Sequence, residues 1–135
     1  MNNASDDAPG GAGRPRVMAV DDSPIALKKY AMTLEKAGFL FRAVQDPKAA
    51  MGAITEFRPD VILMDQMMPD IDGFELTKMI VGSRGMEGIK IIMVSSDNKK
   101  ATVVKAVQGG AVDFLMKPFD DSALLAKIRQ YLARK

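Results

Sequence analysis

Short apolar runs alternate with segments of helical period along this chain. That alternation restricts the fold more than any other feature of the sequence. "RVMAV" (16–20), "FLFRAV" (39–44), "VILMD" (61–65), "IKIIMVS" (89–95) and "VDFLMK" (112–117) read as strands. The stretches 17–20, 61–65 and 89–94 are almost wholly apolar, as parallel strands covered on both faces require. Helix signals lie between them. Ser23 can cap free N–H groups and Pro24 suits a first helical turn. Ile25, Leu27, Met32, Leu34 and Ala37 then fall near helical spacing until Gly38 ends the pattern. Asp46-Pro47 repeats the cap-plus-Pro signal before a second helix. The segments 73–85, 98–110 and 120–135 read as the remaining three, the last capped by an Asp or Ser.

Five strands alternating with five helices predict an α/β fold. The expected architecture is a doubly wound five-stranded parallel sheet in a three-layer sandwich. The expected strand order is the flavodoxin-like 2-1-3-4-5. A length of 135 residues suits one domain, and 47% hydrophobic residues suffice for a core. "MNNASDDAPGGAGRPR" at the N-terminus has no apolar h-region, so it does not read as a secretory signal. Its Asn, Asp, Gly and Pro content reads as a mobile tail over 1–15, with the folded domain at 16–135. No apolar run reaches membrane-spanning length.

The residue types that are missing narrow the chemistry. Cysteine is absent, which removes disulfides and thiolate metal sites and fits a reducing, cytoplasmic setting. Histidine is absent too. The commonest general base and transition-metal ligand is thereby lost, and so is any phosphohistidine formed within the chain. Any bound metal is expected to be a hard cation on oxygen ligands, with Mg2+ first. A net charge of +2 with no tryptophan and two tyrosines gives no basic, aromatic-rich surface. Neither nucleic acid nor membrane is an expected partner.

In a doubly wound sheet the ligand site lies beyond the carboxyl ends of the strands. Strand one ends in Asp21-Asp22, strand three in Asp65, strand four in Ser95-Ser96 and strand five in Lys117-Pro118. Three carboxylates converge there and raise one another's pKa, a repulsion that a divalent cation relieves. Metal, ammonium and hydroxyl together would hold the oxygens of a phosphoryl group, with a carboxylate placed to attack phosphorus. Taken alone, each of these residues reads as a cap or loop residue. Their joint placement at successive strand ends carries the functional reading.

These residues resemble the receiver domains of two-component response regulators, the CheY-like proteins. "VDDS", "MDQMMPDIDG", "VSS" and "DFLMKPF" occur in that order, and the likeness runs from about Arg16 to the C-terminus. The resemblance implies that Asp65 is the phosphoacceptor. It implies Mg2+ held by Asp65, by Asp22 directly, by Asp21 through water and by the backbone carbonyl of Met67. Lys117 is implied as the phosphoryl partner, Ser95 as the switch hydroxyl and Phe114 as the switch aromatic. A cis bond before Pro118 is also implied. Met67 and Asp97 stand where the family tunes acyl-phosphate lifetime.

The expected function is that of a single-domain response regulator. A sensor histidine kinase or His-containing phosphotransfer protein would phosphorylate it, and it would signal through helix 4, strand 5 and helix 5. Its only catalysis would be its own phosphorylation and dephosphorylation. Two alternatives are weighed against this. "DIDGF" (70–74) superficially resembles the nucleophile loop of haloacid-dehalogenase-type phosphatases, but Met67, Met68 and Pro69 intervene where that loop should directly follow the strand. The other alternative is a phosphorylation-independent binding module. Within 61–73, Asp70 and Asp72 read as turn residues, with Gly73 tolerating positive φ.

Overall fold

A computed structural model describes residues 13–133 of the chain. The strands are β1 (Arg16–Val20), β2 (Leu40–Val44), β3 (Val61–Asp65), β4 (Lys90–Ser95) and β5 (Asp113–Met116). The helices are α1 (Pro24–Lys36), α2 (Ala50–Phe57), α3 (Gly73–Val81), α4 (Lys100–Gln108) and α5 (Asp121–Leu132). One five-stranded sheet has the order β2-β1-β3-β4-β5, and every pairing is parallel. The expected doubly wound α/β fold and strand order are present. Most of the tail expected at 1–15 lies outside the described residues.

The apolar strands separate by parity into two layers. Val17 and Ala19 of β1, Val61 and Leu63 of β3, and Ile92 and Val94 of β4 face α1 and α5 in one cluster. Their neighbours Met18, Val20, Ile62, Met64, Ile91 and Met93 join α2, α3 and α4 in the other. Both parities are buried, so β1, β3 and β4 are hydrophobic without alternation.

The caps explain where several helices start. Ser23 Oγ accepts from Ala26 N at 3.2 Å, with Pro24 in the first turn of α1. Asp46 accepts from Lys48 N at 3.0 Å and opens a 3-10 turn, Pro47–Ala49, that leads into α2. Asp120 caps α5 by accepting from Ala123 N at 2.8 Å. The predicted start of the fourth helix near Asn98 is two residues early. Lys99 is its N-cap and makes no side-chain cap bond, because an ammonium has no acceptor; Asp97 accepts from Lys99 N and Thr102 instead.

The α1 stripe also differs from the one predicted. Leu27, Tyr30 and Leu34 are buried, while Ile25 and Met32 are exposed. Spacing 27-30-34 is one helical face, and an aromatic body carries it as well as an aliphatic one does. Strand edges shift by a residue: 39, 89, 112 and 117 lie just outside β2, β4 and β5. Val112 N and Lys117 N still donate to Ile91 O and Ser95 O, both at 2.8 Å.

Candidate functional site

Asp65 closes β3 on the same parity as Val61 and Leu63. It is buried, and its Oδ1 accepts from Lys117 Nζ at 3.1 Å. Asp21 follows β1 directly, and its backbone N is tied to Val44 O at 3.1 Å. Its Oδ1 accepts from Ser23 N at 2.9 Å, so the residue that caps α1 also orients this acid. Its Oδ2 is buried and makes no hydrogen bond, and the Lys117 ammonium stands 3.9 Å away. Asp22 is exposed. One carboxylate oxygen each from Asp21, Asp22 and Asp65 fits within 4.8 Å.

Electrostatics follow from this packing. Burial pushes the Asp65 carboxyl up to about 6, the charge of Asp21 adds to that rise, and Lys117 opposes it. Burial also raises Asp21 above the usual carboxylate range, against the Ser23 N–H and Lys117, with Asp22 adding to the rise. Two crowded, desolvated acids and a buried carboxylate oxygen without a hydrogen bond are what a hard cation corrects. The donor set is oxygen only and fits Mg2+. Asp21, Asp22 and Asp65 are the residues that could hold it.

Ser95 is 3% exposed. Its Oγ accepts from Asp97 N at 3.0 Å and donates to Gln66 Oε1. Lys99 N and the Thr102 hydroxyl hold the Asp97 carboxyl below its ordinary range. Phe114 is half-buried against the α2–α3–α4 layer. The Lys117-Pro118 bond is cis. Met67 is 70% exposed, so its side chain is free to vary.

The acids of the following loop do other work. Asp72 is the N-cap of α3, accepting from Glu75 N at 2.9 Å. Asp70 is exposed, lies 3.7 Å from Lys48 and itself has φ 73°. Neither belongs to the acid cluster. The expectation that Gly73 supplies a positive φ is corrected here, since the left-handed residue of this loop is Asp70. Gly73 is required for closeness: a Cβ there would lie 2.3 Å from Asp65 O and 3.0 Å from Gln66 Cα.

Two residues at the site escaped the sequence reading. Gln66 makes its side-chain bond across 29 residues, with no local signal to announce it. Tyr30 stacks on Phe119, with ring centroids 6.3 Å apart. Burial and the charges of Asp21 and Asp65 raise its hydroxyl pKa, and its helical spacing from Leu27 could have placed it in the core.

Comparison with known proteins bears directly on this arrangement. The family model of the response regulator receiver domain matches residues 17–129. The chain belongs to that family. It is 32% identical over 121 residues to the DNA-binding response regulator MtrA of Mycolicibacterium smegmatis, covering 90% of this chain and 52% of that protein. The chain thus spans about half the length of the curated relatives it matches. Among solved structures, chemotaxis protein CheY4 of Vibrio cholerae superposes with a TM-score of 0.84 at 28% identity, covering 88% of this chain and 99% of that one. The BeF3-activated DrrB receiver domain does so at 0.80 and 26% identity, covering 90% and 99%. Among the described residues no helix is long and apolar enough to cross a membrane.

Proposed function

We propose that Asp65 accepts a phosphoryl group from a phosphohistidine on a partner protein, a sensor histidine kinase or phosphotransfer protein. The observation that carries this reading is the Asp65–Lys117 pair set beside a buried Asp21 oxygen that makes no hydrogen bond. An Asp65 carboxylate oxygen attacks phosphorus, the phosphorus–nitrogen bond of the donor breaks, and the imidazole leaves. Asp21, Asp22, Asp65 and the Met67 carbonyl are the proposed Mg2+ ligands. Bound Mg2+ supplies positive charge for the phosphoryl oxygens. Lys117 supplies a second cation, and Ser95 donates to a phosphoryl oxygen. Phe114 then repacks, and the surface of α4, β5 and α5 carries the change to a partner. The same proposal makes 16–135 the receiver unit and places it in the cytoplasm. Its only catalysis is its own phosphorylation and dephosphorylation.

The direct test is acetyl phosphate with Mg2+, followed by intact mass and peptide mapping. A single phosphoryl adduct on Asp65, prevented by chelation of the metal, is expected. No adduct, or one on another residue, would overturn the proposal. Lys117→Met removes the ammonium but keeps an unbranched chain. It is expected to slow adduct formation by about 100-fold, the usual loss when one charge-stabilising donor is deleted, and a time course of intact mass measures this.

A further inference from the structure

The Ser95 hydroxyl is already in use. A serine hydroxyl has one proton to donate. Here it goes to Gln66 Oε1, while Oγ accepts from Asp97 N at 3.0 Å. Phosphoryl oxygens are acceptors, so Ser95 can donate to one only by releasing Gln66. Gln66 reaches Ser95 from a firm base. Its N donates to Val94 O at 2.9 Å, and its O accepts from Gly73 N at 2.8 Å. Its half-exposed side chain lines an open cavity with Asp22, Met67 and Asp72, so a released amide can bond water instead.

We propose that Gln66 is a positioning residue that holds the Ser95 hydroxyl away from an incoming phosphoryl group and so sets how readily the phosphorylated state forms. This rests on the reading of Ser95 as the hydroxyl that binds that group. Phosphorylation must break the Gln66–Ser95 bond, and the net worth of a typical hydrogen bond corresponds to about a fivefold change in an equilibrium constant. Removing the Gln66 acceptor removes that competition.

The experiment measures binding of beryllium fluoride, a phosphoryl mimic, in the presence of Mg2+ by calorimetry. Gln66→Met keeps the chain length and loses the amide acceptor, and Gln66→Leu serves as an independent second replacement. Either variant is expected to bind about fivefold tighter than the wild type. In a Ser95→Ala background the same replacements are expected to change nothing, because the effect passes through the Ser95 proton. Unchanged or weaker binding by both variants overturns the proposal, as does an equal gain in the Ser95→Ala background. If the wild type itself fails to bind, the phosphoacceptor reading fails and takes this proposal with it. Wild-type binding without the Gln66 effect overturns the proposal alone.

Discussion

Asp65→Asn is expected to abolish phosphoryl uptake and to make the metal-free protein more stable at neutral pH. The first effect follows from losing the carboxylate proposed to attack phosphorus. The second follows from where that carboxylate sits. Its ordinary pKa is about 4, and the fold holds it at about 6. Below about pH 4 the acid is protonated in folded and unfolded chains alike and contributes nothing. Between about 4 and about 6 the folded chain binds more protons than the unfolded one, so stability falls as pH rises. Above about 6 the loss is complete and amounts to about 3 kcal/mol at most.

An amide has the same shape, carries no charge and can still accept from Lys117. Asp65→Asn should therefore recover about 1–3 kcal/mol at pH 7 and flatten much of the slope between pH 4 and 6. Asp21, also raised, keeps part of the slope in the variant. Urea unfolding in chelator across that range measures both effects. A variant no more stable than wild type at pH 7 would show that burial of Asp65 carries no such penalty.

Gly73→Ala is expected to damage both stability and chemistry. The added Cβ meets three backbone atoms: Asp65 O at 2.3 Å, Gln66 Cα at 3.0 Å and Asp65 C at 3.1 Å. Backbone cannot rotate away as a side chain can, so α3 or the Asp65 peptide must shift. Overpacking of this kind costs about 3 kcal/mol. Because the crowded peptide belongs to the proposed nucleophile, acetyl-phosphate labelling is expected to slow by about 100-fold, as it does when a reacting group is misplaced. Urea unfolding and labelling kinetics together test this. Ala tolerated at wild-type stability and rate would mean that the loop has slack that its Gly73–Gln66 bond of 2.8 Å does not imply.

The parts of this molecule that could be read from sequence are those whose causes are local. Apolar runs, Ser23-Pro24 and Asp46-Pro47 announce elements through spacing and capping chemistry, and the βα alternation announces a doubly wound parallel sheet, of which 2-1-3-4-5 is one common order. The acid cluster was legible because strand ends converge in such a sheet, so residues at those ends become neighbours by topology. Features with distant causes were not legible. Gly73 looks like a turn glycine until Asp65 is seen behind it. Gln66 looks like a spacer until its amide meets Ser95 from the next strand. Ile25 and Met32 share the helical spacing of Leu27 and Leu34, yet they are exposed and Tyr30 is buried, because spacing that counts aliphatic residues does not weigh an aromatic ring.

The division of the core by strand parity also acts as insulation. Side chains above and below the sheet fall in separate clusters, so substitutions on opposite faces have few shared neighbours and their costs should simply add. Either hydrophobic layer can drift in sequence without retuning the other. The strand tips are the exception. There Asp65 continues the parity of the α1–α5 side, while Ser95 continues that of the α2–α4 side. Drift is least free at that seam, where a change of charge is felt by both halves of the molecule at once.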